Sequence, residues 1–236
     1  MLTSVFIPNQ NNSYAWINLI FLVTFLLLGI IEPFTVLFGY FLETIIIGVF
    51  NVFKMVVASK HDGSGNSIFF SIPFFIFHYG MFVAIQSIFV FVVIGIDGTK
   101  LIKEPFNIIE NYIMMLDLQG MEYMLPLLIT TQLVKFLLDF MHPKKYLEFT
   151  VQEIMFKPYV RIFVQQFTVI IAMFFIIFSN VSVIAALLLI LFRTIVDFSF
   201  ASIRKNGKFL DYLVDKSYNG KETKEELRKK LLLISE

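Results

Sequence analysis

Residues 35–57 read TVLFGYFLETIIIGVFNVFKMVV, an apolar run interrupted by Tyr40, Glu43, Asn51 and Lys54. A helix crosses the hydrocarbon core of a bilayer in about 20 residues, rising about 1.5 Å per residue, and this run is long enough. Lipid offers no partner to a bare amide or carbonyl, so a spanning segment must bond its own backbone, as a helix or within a closed barrel. The apolar residues are continuous and do not alternate with a period of two, which selects the helix. Plotted at about 100° per residue, the four polar side chains fall within an arc of about 80°, so the helix carries one polar face.

Five further runs have the same character: Tyr14 to Ile31, Ile68 to Ile96, Met124 to Met141, Val160 to Phe178, and Val181 to Ser202. The composition agrees with lipid as the solvent, with 58% hydrophobic and 16% charged residues and a mean hydropathy of +0.79. A soluble domain carries roughly 25% charged residues. Nineteen basic against eighteen acidic residues leave a net charge of +1, which gives no electrostatic footprint for nucleic acid. The absence of cysteine removes disulfides, thiolate metal sites and cysteine nucleophiles. Met1 to Ser13 contain no Lys or Arg, so the first run reads as a retained span rather than a cleaved signal.

Glu32-Pro33-Phe34 separates the first two runs, because proline and its restraint on the preceding residue break a helix there. Ser179-Asn180 makes a similar turn before the last run, and Lys60 to Asn66 is a loop by its turn chemistry. With the N-terminus inside, fifteen basic residues fall on the cytoplasmic side and only Lys100 and Lys103 on the other. The positive-inside rule therefore predicts both termini in the cytoplasm, in a multi-pass protein of the cell membrane. Leu101 to Met121 mixes apolar residues with Glu104, Glu110 and Asp117 and predicts an amphipathic helix on the outer surface. Thr223-Lys-Glu-Glu226 is a capping box that opens a cytoplasmic C-terminal helix. The expected fold is thus all-α: a six-helix transmembrane domain over residues 1–202 and a cytoplasmic helical tail over 203–236.

A charged side chain at the bilayer centre costs about 2.5 to 3.5 kcal/mol even on lenient insertion scales, so charges within spans carry information. The candidates for binding a solute or ion are Glu43, His78, Arg193, Asp197, Asn51 and Lys135. Counting about 1.5 Å per residue from each end places Glu43 and His78 near mid-membrane, with Arg193 and Lys135 central to inner. The expectation is that Glu43, His78, Arg193 and Asp197 converge in the bundle interior. Pairing that merely fixes helix packing, Glu43 with His78 or Arg193 and Asp197 with Arg193 or Lys135, is the competing account. Gln132 shares one face of its run with Thr131, Lys135, Asp139 and His142. Arg161 and His142 are read as boundary residues.

A zinc centre needs three or four protein ligands, and one deep histidine does not supply them, so no metal site is assigned. The common hydrolase, nucleotide and dinucleotide signatures are missing. No cofactor follows from the sequence.

Several pieces together resemble a known family: Tyr40-Phe-Leu-Glu43 with Gly48, Asn51 and Lys54; Phe74-Phe-Ile-Phe-His78-Tyr79-Gly80 with Phe82; Arg161; and Arg193-Thr194-Ile-Val-Asp197. In these the chain resembles the membrane-protein family catalogued as domain of unknown function 6498, across spans two to six. The resemblance implies a helical membrane fold and these candidate residues, and it brings no chemistry.

Three functional readings follow. The first is a small transporter or ion- or proton-conducting protein whose mid-membrane residues bind a proton, ion or small polar solute. The second is an intramembrane enzyme, metal-assisted or not, acting on a lipid or a membrane-embedded substrate. The third is a non-catalytic subunit or scaffold. The bilayer is the expected partner, and self-association is open.

Overall fold

A computed structural model describes residues 7–8, 13–62, 68–96, 102–179, 182–205, 207–220 and 222–235. Every regular element among them is helical. In chain order these are α1 (Ser13–Leu27), α2 (Pro33–Ser59), α3 (Ile68–Ile96), α4 (Ile108–Leu116), α5 (Met121–Lys135), α6 (Val151–Ser179), α7 (Ser182–Lys205), α8 (Gly207–Ser217) and α9 (Lys224–Ser235). A π-helical turn, Phe136–Met141, continues α5, with the His142 amide bonded to the Leu137 carbonyl at 2.8 Å. Among the described residues three helical stretches are long and apolar enough to cross a membrane: Pro33–Ser59, Ile68–Val92 and Met121–Met141. Ala15–Leu27 is a shorter apolar helix.

The chain forms two compact units, residues 25–189 and residues 1–24 with 190–236. In the first, α2 packs against α3, α5 and α6, and is the most buried of the three long apolar helices. Pro33 at its first turn costs no hydrogen bond, because that amide has no intrahelical partner. By contrast α3 is apolar all round and open on its outer face, with Phe69 88% and Phe77 76% exposed. A helix of that kind belongs in lipid or in a large core.

Side-chain clasps at the turns define two ends of this unit. At one end the Thr35 hydroxyl donates to the Gln119 carbonyl at 2.9 Å, and the Gln119 amide donates to the Gly29 carbonyl at 2.9 Å. Gly120, at φ 87°, lies so close to the α1–α2 turn that a Cβ there would stand 2.8 Å from the Ile30 carbonyl oxygen. At the other end Asp62 accepts from the Val151 amide at 2.8 Å, and the His61 ring lies 5.1 Å from that of Tyr146. Glu32, Glu104, Glu110, Asp117 and Glu122 lie at the first end with Lys103; Lys60, Lys144 and Lys145 lie at the second with Asp62, Glu148 and Glu153.

The boundaries differ from expectation where local capping outweighs hydropathy. Helix α6 begins at Val151, ahead of the expected Val160, because Thr150 and Glu153 form a capping box: the Thr150 amide donates to Glu153 Oε2 at 2.9 Å and the Glu153 amide to Thr150 Oγ1 at 3.2 Å. Helix α1 stops at Leu27, with Gly29 turning the chain at φ 68°. Of the stretch 101–121, only Ile108–Leu116 is helix ahead of α5, and it buries Asn111 and Met115. Residues 63–67 and 180, in two of the expected turns, lie outside the described residues.

In the second unit the ring of Trp16 lies 5.4 Å from that of Phe198. The expected capping box opens α9, with Thr223 and Glu226 exchanging bonds at 3.0 and 3.2 Å. That bonding holds the Glu226 carboxyl below the usual range. Within the expected helical tail, α8 is a separate helix ahead of the capping box; Arg228 and Lys224 of α9 reach back to its Asp211 and Asp215, each at 2.6 Å.

Candidate functional site: a polar layer inside the helix bundle

Glu43 lies about 15 Å along α2 from Pro33, at ~1.5 Å per residue, and is 1% exposed. Its carboxylate accepts from the Gln132 side-chain amide of α5 at 3.0 Å. Gly39, one turn before Glu43, permits that approach: a Cβ there would stand 2.2 Å from the tip of Met124.

On the neighbouring face Gly48 leaves room for the Tyr79 ring, which a Cβ would meet at 2.4 Å. The Tyr79 hydroxyl donates to the Thr44 carbonyl at 2.7 Å. One further turn along, Asn51 donates to the Ile154 carbonyl of α6 at 3.1 Å. Gln86 of α3 donates to the Ile162 carbonyl at 3.1 Å. Pro158, four residues on, has no N–H to give the Ile154 carbonyl, so the Asn51 amide supplies that bond; the Tyr79 and Gln86 bonds go to carbonyls inside helices, an economical way to satisfy polar groups among apolar helices.

His78 is half-buried and turned toward α6, with Nδ1 2.8 Å from the Tyr159 hydroxyl. Phe74 stacks on its ring at 5.2 Å and Phe82 meets it edge-on at 5.1 Å, so the imidazole is clamped. Glu43 and His78 thus bond to different helices, the first to α5 and the second to α6. Lys135, half-buried, ends α5 where the π-helical turn begins. Single π-turns of this kind cluster at functional sites.

Arg193 and Asp197 belong to the second compact unit, one turn apart on α7. Arg193 is 4% exposed, and its Nε lies 3.4 Å from Asp197 Oδ2. That contact realises one of the pairings expected from the sequence.

Sequence reasoning missed four contributors. Gln132 stood in a recognised polar face without being tied to Glu43. Tyr159 lay one residue outside the expected span, Thr44 was hidden in an apolar context, and Tyr79 stood in the family motif without being tied to Thr44. The signal available for Tyr79 was the glycine opposite it.

Toward the acidic end, Tyr112 of α4 packs on Phe38, Phe41 and Phe91 with ring centroids 5.5 to 6.0 Å away. Its hydroxyl lies 2.8 Å from that of Ser87. Burial pushes the Tyr112 phenol up to about 12, and the Ser87 bond offsets part of the rise. Between α2 and α3 a groove of about 400 Å³ is lined by Gly48, Val49, Val52, Phe53, Ile76 and Gly80 among other apolar residues. It offers nothing to bind a polar solute. Among the described residues no three or more His, Asp or Glu side chains are grouped to hold a metal ion.

Apolar helices of spanning length enclosing a layer of buried polar side chains define the class: a helical protein suited to the membrane. The chain belongs to the family of unknown function DUF6498, which matches it over residues 1–225. No curated protein and no solved structure matches it.

Proposed function

We propose that the chain is a six-span protein of the cell membrane with both termini in the cytoplasm, and that it carries protons, alone or with a small polar solute, through Glu43. The observation behind this reading is a carboxylate 1% exposed, deep in an apolar helix, that accepts a hydrogen bond from the side-chain amide of Gln132. The Gln132 amide can donate to the ionised carboxylate through its N–H and accept from the protonated one through its carbonyl. Such a pair tolerates both states, as a proton-exchanging site requires. Ionisable groups at mid-depth of membrane helices commonly mark ion and proton pathways. The uneven distribution of lysines in the 25–189 unit, with Lys60, Lys144 and Lys145 at one end and Lys103 at the other, supports the orientation with the lysine-rich end inside.

The test is proton flux in vesicles containing the purified chain, followed with an internal pH dye after an acid jump. Wild-type vesicles are expected to acidify faster than empty ones and Glu43→Gln vesicles to match the empty ones. Equal rates for wild type and Glu43→Gln would refute the role of Glu43.

A further inference from the structure

Two buried polar atoms in the layer have no hydrogen-bond partner: Thr44 Oγ1 and Gln86 Oε1. Thr44 is 1% exposed and Gln86 6%. An orphaned hydroxyl or amide oxygen among apolar helices is costly, and nearly all buried polar groups find a partner in protein or ordered water. Serine and threonine in helices usually bond back to a carbonyl one turn earlier, as Ser87 and Thr194 do here at 2.8 and 2.7 Å. Thr44 does not.

The two orphans lie at one level of the bundle. Asn51 of α2 reaches Ile154 of α6, and the two helices run antiparallel, so Thr44, seven residues before Asn51, is level with the residue before Ile162. Ile162 is the residue whose carbonyl receives Gln86. Between α2 and α3, the contacts Phe38 to Phe91 and Gly48 to Tyr79 bracket the same level from both sides. Thr44 and Gln86 are therefore within about one helical turn, ~5 Å, along the bundle axis. On α2, Thr44 falls between Asn51, which faces α6, and Gly48, which faces α3. It points to the seam where α2, α3 and α6 meet.

We infer that this seam holds an internal water molecule that accepts from the Thr44 hydroxyl and donates to Gln86 Oε1. The chemistry favours water because the seam presents a hydroxyl able to donate and an amide oxygen that can only accept. A single molecule that both accepts and donates satisfies them together.

The test is a double-mutant cycle on thermal unfolding of the full chain in detergent, with Thr44→Val, Gln86→Leu and both together. With a shared water each single change strands the other group and lowers Tm by about 2–4 °C, and the double variant falls no further than the worse single one. Additive shifts, or a Tm raised by Thr44→Val, would show a dry seam and overturn the inference. The cycle should be the same in sodium, potassium and choline chloride; a coupling that follows the cation would place an ion there instead. Radiolytic hydroxyl labelling of the wild type gives a readout without any variant. Buried Tyr79, bonded to Thr44, is expected to be oxidised by activated bound water, and an unlabelled Tyr79 would contradict the site. None of these readouts involves flux, so their failure is separable from failure of the transport reading.

Discussion

The side-chain amide of Gln132 meets the carboxylate of Glu43 at 3.0 Å across 89 positions of sequence, between two helices whose other contacts are largely apolar. The pair is asymmetric in its tolerance. Replacing Gln132 by Leu removes the donor and leaves a buried carboxylate short of a bond, with an expected loss of about 1–3 kcal/mol. Glu43→Gln keeps shape and bonding capacity and should unfold within about 1 kcal/mol of wild type. Chemical or thermal unfolding of both variants checks the ranking, and a Glu43→Gln less stable than Gln132→Leu would contradict it.

The two close glycines should differ. At Gly48 an added methyl meets the rigid Tyr79 ring, whose displacement also breaks the bond to the Thr44 carbonyl, so Gly48→Ala is expected to cost about 1–3 kcal/mol. At Gly39 the methyl meets Cε, Cγ and Sδ of the buried Met124, whose flexible chain can re-pack only within the core. Gly39→Ala should be milder than Gly48→Ala in the same unfolding assay, its cost falling on the approach of α5 and the Glu43–Gln132 bond.

Tyr112 makes stability sensitive to alkaline pH. Its phenol is raised from 10.0 to about 12 by burial, so the folded state holds the proton more tightly than the unfolded one. The contribution is complete below pH 10 and is lost as pH rises through about 12, amounting to about 3 kcal/mol. Wild type should lose stability across that window more steeply than Tyr112→Phe, as followed by unfolding at fixed pH values; parallel curves would contradict a buried phenol.

The chain has no cysteine, so a single introduced one reports its own side of the membrane. Asp117→Cys lies at the end of the 25–189 unit where α2 and α5 begin, and Lys144→Cys at the lysine-rich end. With intact cells and an impermeant thiol reagent, Asp117→Cys is expected to label and Lys144→Cys to be protected. The reverse pattern would invert the proposed orientation.

The helices were legible in the sequence because apolar runs of spanning length allow little else, and Glu43 and His78 stood out because ionisable groups in such runs are rare. Their partners were not legible. Periodicity places Glu43 on a face of α2 but does not say which helix covers that face; the answer depended on Gly39, a residue with no polar signal, opening the way for α5. Tyr159 escaped because hydropathy starts α6 too late, although the Thr150 and Glu153 capping pattern marked the true start. Thr44 reads as one more small residue before an isoleucine run, and only its unsatisfied hydroxyl singles it out.

The central claim is that Glu43 takes up and releases a proton inside the bundle, and the most direct measurement is pH-difference infrared spectroscopy of the chain in lipid. The account predicts a protonated-carboxyl C=O band that appears on acidification, shifts in deuterated water and is missing from Glu43→Gln. A carboxyl difference spectrum identical in wild type and Glu43→Gln at every pH would contradict it.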